Sequence, residues 1–208
     1  MFDVDGTLVQ SFGFDEECYL DAVTRVLGHS IDDDWSKYPH VTDVGILDHH
    51  LSQLGRRDER EQVGKKVKSI FIDNIKIHLS RSPVQQVRGA AGFIAYLREL
   101  PNVSMSIATG GWRETAQMKL ESAGIDISDI PLASSNDHYS RIEIMKLAMQ
   151  KASVSTSCKL IYFGDAAWDK QACEELQCDF VLVGKRIEHD KVIRDFSSIE
   201  QACLLIDL

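Results

Sequence analysis

The alternation of short apolar runs with helical stretches, from residue 87 to the C-terminus, restricts the fold more than any other feature of this sequence. Four apolar runs predict strands, at residues 103–108, 130–133, 160–163 and 180–183. Five stretches predict helices, at residues 89–100, 113–122, 142–152, 169–176 and 197–205. Repeated strand–helix units form a parallel sheet with helices on both faces. The sequence therefore predicts a doubly wound α/β fold, whose ligand site lies beyond the carboxyl ends of the strands.

Residues 14–80 show no alternation of the kind that strands require. Their apolar residues recur at helical spacing over 15–27, 43–54 and 57–79, and Thr42 is a candidate N-cap for the second of these helices. We interpret residues 12–83 as an all-helical insertion after the first strand. Residues 1–11 and 84–208 then form the α/β core. Only Met1 and Phe2 precede Asp3, so the first strand is predicted to be very short.

Acidic side chains occur at the predicted ends of two strands. Asp3 and Asp5 are spaced i, i+2, which places them on one side of an extended chain. Asp165 follows the run at 160–163, and Asp169 comes one helical turn later. Two carboxylates about 4 Å apart repel by roughly 4 kcal/mol at an effective dielectric constant near 20, so a proton, a cation or separation into water must offset the repulsion. Oxygen-rich clusters suit Mg²⁺. The alternative for Asp5-Gly6 is an ordinary turn that follows a strand.

A hydroxyl and two glycines end a third predicted strand, at Thr109-Gly110-Gly111. A helix is predicted to begin directly afterwards, with Gly124 just past its end. A hydroxyl and free N–H groups at a strand-to-helix turn can bind an anion. The alternative is a tight turn without a ligand.

These segments together resemble the haloacid dehalogenase (HAD) superfamily, over the whole chain. Residues 3–8, Asp-Val-Asp-Gly-Thr-Leu, resemble its first motif; Thr109 is similar to its second, and Gly164-Asp165 with Asp169 to its fourth. Its third motif is normally a lysine roughly two dozen residues before the fourth-motif acid. Arg141 matches that position and Lys146 matches the residue type, so both remain candidates.

The resemblance implies a phosphatase with an HAD-like Rossmannoid core, in which the helical insertion is a small cap. The expected activity is Mg²⁺-dependent hydrolysis of a small phosphorylated metabolite through an aspartyl-phosphate. Asp3 would be the nucleophile, and Asp5 would protonate the leaving oxygen and then activate water. The remaining implied roles are phosphate binding by Thr109, Gly110, Gly111 and Arg141, catalysis by Thr109 and Arg141, and Mg²⁺ binding by Asp3, Asp5, Asp165 and Asp169.

Other activities of the same fold remain open. A phosphomutase is the main alternative, and a non-catalytic metabolite-binding protein is another. A dehalogenase is disfavoured by the presence of Asp5, and a phosphonate hydrolase by the polar setting of the lysines in residues 57–79. Substrate contacts are hypothesised for His40, Thr42 and Asp43, while Trp112 and Trp168 could either line the pocket or pack.

Composition restricts the partners. A net charge of −9 argues against sequence-independent nucleic-acid binding, which needs a basic face. Five cysteines without a CxxC pair argue against a disulfide framework or a zinc site. No apolar run approaches 18 residues, and no signal segment is visible at the N-terminus. A soluble cytoplasmic protein without a membrane partner is expected, and the sequence does not specify its oligomeric state.

Overall fold

The computed structural model describes residues 1–153 and 158–208. Within them, parallel strands form one sheet, in the order β2-β1, N-terminal segment, β3-β4-β5. The strands are β1 (Ile107–Ala108), β2 (Leu132–Ala133), β3 (Ile161–Gly164), β4 (Asp179–Val183) and β5 (Val192–Ile193). The parallel α/β fold that the sequence predicts is confirmed.

The N-terminal segment joins the two halves of this sheet. Phe2 forms parallel bridges with both Ile107 and Phe163. The amide of Asp3 donates to the carbonyl of Phe163 at 2.9 Å, and the amide of Ala108 donates to the carbonyl of Phe2 at 2.9 Å. The N-terminal segment runs parallel to both of its neighbours, so all three end at the same edge of the sheet. The residues directly after the N-terminal segment, after β1 and after β3 therefore emerge together at that edge.

Helices α1–α3 lie within residues 12–83, which we call the insertion, and α4–α8 lie within residues 84–208, where the strands are. The bounds in the insertion are α1 (Phe14–Leu27), α2 (Asp43–Gln53) and α3 (Arg60–Arg81). Those in the core are α4 (Ala90–Arg98), α5 (Arg113–Ser122), α6 (Arg141–Lys151), α7 (Ala167–Leu176) and α8 (Ile199–Ile206). As the sequence indicates, the Thr42 hydroxyl caps α2 by accepting from the amide of Gly45 at 2.9 Å.

The insertion has a hydrophobic core of its own. Tyr19, Val23, Leu51 and Phe71 are buried together in it. Two other clusters lie against the sheet, one around Phe2, Phe93 and Phe163 and the other around Ala108, Ile144 and Tyr162. Phe163 and Tyr162 alternate along β3, so the two clusters cover opposite faces of the sheet.

Three elements differ from the sequence prediction in kind or by more than two residues at one end. The strand predicted at 103–108 pairs only over β1, because its partner β2 has just two residues. β5 was not predicted, since its two residues at the sheet edge lie between Lys191 and Arg194 and show no apolar run. A short 3₁₀ helix, Arg57–Glu59, precedes α3 where one long helix was expected. No helix within the described residues combines the length and apolarity needed to cross a lipid bilayer.

Candidate active site

Three carboxylates meet where the sheet ends. Asp3 follows the N-terminal segment, Asp165 follows β3, and Asp169 lies in the first turn of α7. Each offers an oxygen within 4.8 Å of the other two, and all three residues are buried. Burial, reinforced by the charge of Asp169, raises the pKa of Asp3 well above its usual value. Buried carboxylates of like charge repel one another unless a cation lies among them. A set of ligands made only of carboxylate oxygens fits Mg²⁺.

Asp169 is held in place from three directions. Its Oδ2 accepts the amides of Asp165 and Ala166, each at 3.2 Å, and its Oδ1 accepts Nη1 of Arg141 at 2.8 Å. A Cβ on Gly164 would approach the Asp169 side chain to 2.8 Å, so glycine is required for this close approach. Both carboxylate oxygens of Asp169 accept hydrogen bonds from the protein, so its side chain is fixed in position beside the other two acids.

Arg141, at the start of α6, is one of the cations that contact this cluster. Besides Asp169, its guanidinium approaches Oδ1 of Asp3 at 3.5 Å and donates to the carbonyl of Val41 at 3.1 Å. Its Nε is buried and has no hydrogen-bond partner among the described residues. Lys146, the other candidate, is half-exposed and pairs with Glu143 at 2.7 Å, away from the site.

The turn after β1 lies beside these acids. Thr109 is buried, and its Oγ1 accepts the amide of Gly111 at 3.1 Å. A Cβ on Gly110 would come within 2.5 Å of Nη2 of Arg141, so the turn and the arginine are in direct contact. The Gly111 amide, expected to face a phosphate oxygen, is therefore already used by the Thr109 hydroxyl.

Asp5 lies on the other side of the Thr109 turn. The hydroxyl of Ser11 donates to its Oδ1, and Nζ of Lys119 donates to the same oxygen at 2.5 Å. Gly6, directly after it, has a φ of +81°, and a Cβ there would lie 2.7 Å from the Asp165 carboxyl group. The sharp turn that brings Asp5 into the site therefore depends on glycine.

Lys119 is one residue of the site that the sequence analysis missed. It lies on α5 with its side chain fully buried, and Nζ also donates to Oδ1 of Asp15 on α1 at 2.6 Å. Burial alone would lower the pKa of Lys119, but the charges of Asp15 and Asp5 raise it above its usual value. A signal was available, because Lys119 shares the apolar face of α5 with Ala116 and Leu120.

A cavity of about 140 Å³ connects these groups with the helical insertion. Its lining includes Asp3, Asp5, Thr109, Arg141 and Asp165 from the core side. From the insertion the lining includes Asp15, Glu16, Tyr19, Trp35, Thr42 and Asp43. The hypothesis of substrate contacts is consistent with this placement for Thr42 and Asp43, whereas His40 is not in the lining.

The two tryptophans lie in different surroundings. Trp168 lines the cavity, whereas the ring of Trp112 packs in the core of the insertion, 5.7 Å from that of Phe71.

Asp43 docks the insertion onto the turn after β1. Its amide donates to the carbonyl of Gly110 at 2.9 Å, and its Oδ2 accepts the amide of Trp112 at 2.7 Å. Burial and the charge of Asp15 raise the pKa of Asp43 well above its usual value. A carboxylate from the insertion therefore accepts a hydrogen bond from an amide at the N-terminus of α5, a position where anions bind favourably.

Arg186, also absent from the sequence analysis, follows β4. Its Nη1 donates to Oδ2 of Asp165 at 3.0 Å, and its guanidinium lies 4.2 Å from the ring centre of Phe12. Burial and the charge of Asp169 raise the pKa of Asp165 to about 7, although Arg186 opposes that shift. Nothing in the local pattern around residue 186 indicates this contact.

Comparison with known proteins agrees with the architecture. Residues 1–183 match the family model described as haloacid dehalogenase-like hydrolase. No curated protein sequence matches the chain.

Several solved structures are similar over nearly the whole chain. A hydrolase from Pseudomonas syringae is 18% identical, with a TM-score of 0.74 over 100% of this chain and 97% of that one. CbbY from Rhodobacter sphaeroides in complex with phosphate is 14% identical, with a TM-score of 0.71 over 96% and 94%. A Lactobacillus plantarum protein described provisionally as a phosphoglycolate phosphatase is 19% identical, with a TM-score of 0.63 over 99% and 97%. At these identities the likeness shows the fold alone.

Proposed function

We propose that this chain, which belongs to the haloacid dehalogenase-like hydrolase family, is a Mg²⁺-dependent phosphatase acting on a small phosphorylated metabolite through an aspartyl-phosphate. The observation that carries the proposal is the meeting of Asp3, Asp165 and Asp169 within 4.8 Å beside the buried Arg141. A similar fold has been solved with phosphate bound, which supports a phosphate ligand. Carboxylates, a buried guanidinium and a turn that carries a hydroxyl group are the kinds of group that phosphoryl transfer uses.

In the first step, a carboxylate oxygen of Asp3 bonds to phosphorus as the bond from phosphorus to the alcohol oxygen breaks. Asp5 gives the departing oxygen a proton. In the second step, water attacks phosphorus, Asp5 takes a proton from that water, and the bond between Asp3 and phosphorus breaks. Ser11 and Lys119 keep the Asp5 carboxyl group pointed into the cavity throughout.

Phosphate oxygens are bound by Arg141, Thr109 and the turn at Gly110 and Gly111. Arg141 is held by Asp169 and by the carbonyl of Val41, so its guanidinium is oriented before the substrate arrives.

The metal would be held by Asp3, Asp165, Asp169 and the backbone carbonyl of Asp5. When bound, Mg²⁺ offsets negative charge on the phosphoryl oxygens.

Hydrolysis of an aryl phosphate, measured with Mg²⁺ and after EDTA treatment, tests the function. We expect turnover that EDTA abolishes, and Asp3→Asn should remove essentially all of it. Asp73→Asn, an exposed carboxylate on α3, is the matched control and should leave the rate unchanged. An Asp3→Asn variant that keeps about a tenth of the wild-type rate would exclude the covalent role, because no other group replaces a nucleophile.

A further inference from the structure

Helix α7 ends in a turn that brings two cysteines together. Gln177, just past its last residue, has left-handed backbone angles, with φ 54° and ψ 41°. The amide of Cys178 donates to the carbonyl of Cys173 at 3.0 Å, and the amide of Gln177 donates to the carbonyl of Glu174 at 3.3 Å. These two hydrogen bonds form a Schellman motif, in which the side chains at the two ends frequently touch. Here both of those side chains are thiols.

The separation of the two backbones suits a disulfide. With ordinary bond lengths, the hydrogen bond from the Cys178 amide to the Cys173 carbonyl keeps the two Cα atoms within about 7 Å of each other. Disulfides usually join Cα atoms about 4.4–6.8 Å apart. Both side chains belong to the same apolar cluster, Cys173 as a buried member and Cys178 as a partly buried one. A bond between the two sulfur atoms can therefore form by rotation of the side chains.

Cys178 is the more reactive of the two thiols. It is partly exposed, whereas Cys173 is 1% exposed. Hydrogen bonding with Cys173 lowers the pKa of the Cys178 thiol below its usual value, and the same interaction raises the pKa of the Cys173 thiol. The adjacent acid, Asp179, pairs with Lys191 at 2.9 Å and with Lys159 at 3.4 Å, so its charge is compensated beside a thiolate at Cys178.

The other three cysteines lie on other segments of the chain. Cys18 is in α1, Cys158 precedes β3 and Cys203 is in α8. Burial and the charge of Asp15 raise the pKa of the Cys18 thiol to about 11, which keeps it in the unreactive protonated form. Position and reactivity together therefore single out Cys178 and its neighbour.

We propose that Cys173 and Cys178 are an oxidative modification site, at which hydrogen peroxide converts the two thiols into an intramolecular disulfide. This proposal is independent of the proposed phosphatase activity, since neither cysteine lines the cavity. The disulfide would join the last turn of α7 to the residue that directly precedes β4.

The reaction has two steps. The Cys178 thiolate attacks one peroxide oxygen, so a sulfur–oxygen bond forms, the oxygen–oxygen bond breaks, and the second oxygen takes a proton and leaves as water. The sulfur of Cys173 then attacks the sulfur of Cys178, the sulfur–oxygen bond breaks, and the hydroxyl group leaves as water with the proton of the Cys173 thiol. The two sulfurs together lose two electrons, which reduce one peroxide to two waters.

Peptide mapping of the native protein after peroxide treatment tests the proposal. Trypsin places both cysteines in one peptide, residues 171–185, and none of the other cysteines is in it. We expect this peptide to lose the mass of two hydrogen atoms and to resist alkylation until dithiothreitol is added. Two of the five free thiols should disappear from a thiol count of the whole protein.

Cys178→Ser removes the attacking thiol, and Cys158→Ser is its matched control at an exposed cysteine outside the pair. Cys178→Ser should abolish the loss of two thiols, whereas Cys158→Ser should still lose them. Cys173→Ala leaves no thiol to complete the bond, so residues 171–185 should gain oxygen atoms instead.

Mapping of the wild type decides the matter even if a variant fails to fold. If peptide 171–185 keeps both thiols while other cysteine peptides are oxidised, or if it gains oxygen without forming a disulfide, the proposal is overturned. A disulfide that forms only in urea would also overturn it, because the native turn would then not be what brings the sulfur atoms together.

Discussion

Replacing Lys119 with methionine removes a buried ammonium group that joins the helical insertion to the α/β core at the site. Methionine keeps the length and most of the apolar volume of the side chain, so the main change is the loss of charge. The carboxylates of Asp5 and Asp15, which accept from Nζ at 2.5 and 2.6 Å, would then lose their shared cation.

The expected cost follows from the burial of this group. Breaking a buried ion pair by removing one partner costs about 3–5 kcal/mol, because a desolvated charge is left without compensation. Asp5 and Asp15 are each about one-quarter exposed, which favours the lower end of that range. For a chain of this length the loss corresponds to a decrease in Tm of roughly 6–20 °C.

Urea unfolding of the wild type and the variant measures this free energy, and Lys146→Met is the matched control. Lys146 makes an ion pair of similar length, 2.7 Å, with Glu143, but both side chains are nearly half-exposed. Its loss should cost about 0–1 kcal/mol. Adding Asp15→Asn to Lys119→Met should recover part of the stability, since one uncompensated charge is removed. If the free energy of unfolding of Lys119→Met is within about 1 kcal/mol of the wild-type value, the reasoning is refuted, because so small a loss is typical of an exposed ion pair.

Three further predictions concern the site. Arg141→Ala should lower kcat/KM for the aryl phosphate by about a hundredfold or more, while Lys146→Ala leaves it unchanged; the reverse pattern would assign the phosphate charge to Lys146. Gly110→Ala should raise KM in the same assay and also lower Tm, because its Cβ would lie 2.5 Å from the Arg141 guanidinium and 2.9 Å from the carbonyl oxygen of Val41. An unchanged KM would contradict the contact. Burial raises the pKa of Asp43 above its ordinary value of 3.8, so the wild type has extra stability at low pH that is lost as pH rises through the folded-state pKa. Thermal melts of Asp43→Asn and of the wild type from pH 4 to pH 8 test this. The stability of the variant relative to the wild type should increase as pH rises, and a difference that stays constant would argue against the raised pKa.

The convergence of Asp3, Thr109 and Asp165 could be predicted because it depends on topology alone. Parallel strands end at one edge, so residues directly after them approach each other whatever the side-chain packing. Helix α5 also begins and ends where its sequence indicates, at Arg113–Ser122. Position in the pattern likewise favoured Arg141 over Lys146, and the structure places Arg141 against Asp3.

The contacts between the insertion and the core could not be predicted in this way. Lys119 meets Asp15 only because α1 and α5 both pack against α3, and no periodicity in any of these helices specifies its neighbours. The same holds for Asp43 on the Trp112 amide and for Arg186 on Asp165. These are tertiary pairings between distant segments, and a single sequence carries information on the residue types but not on the pairing.

The contact between Asp43 and the amide of Trp112 has a consequence for how substrate would be captured. If residues 12–83 swing away from the sheet, this carboxylate leaves, and an N–H group at the start of α5 becomes free. Such a group attracts anions. The open form would thus offer an incoming phosphate one more donor than the closed form does, and the ligand and the returning carboxylate would compete for it.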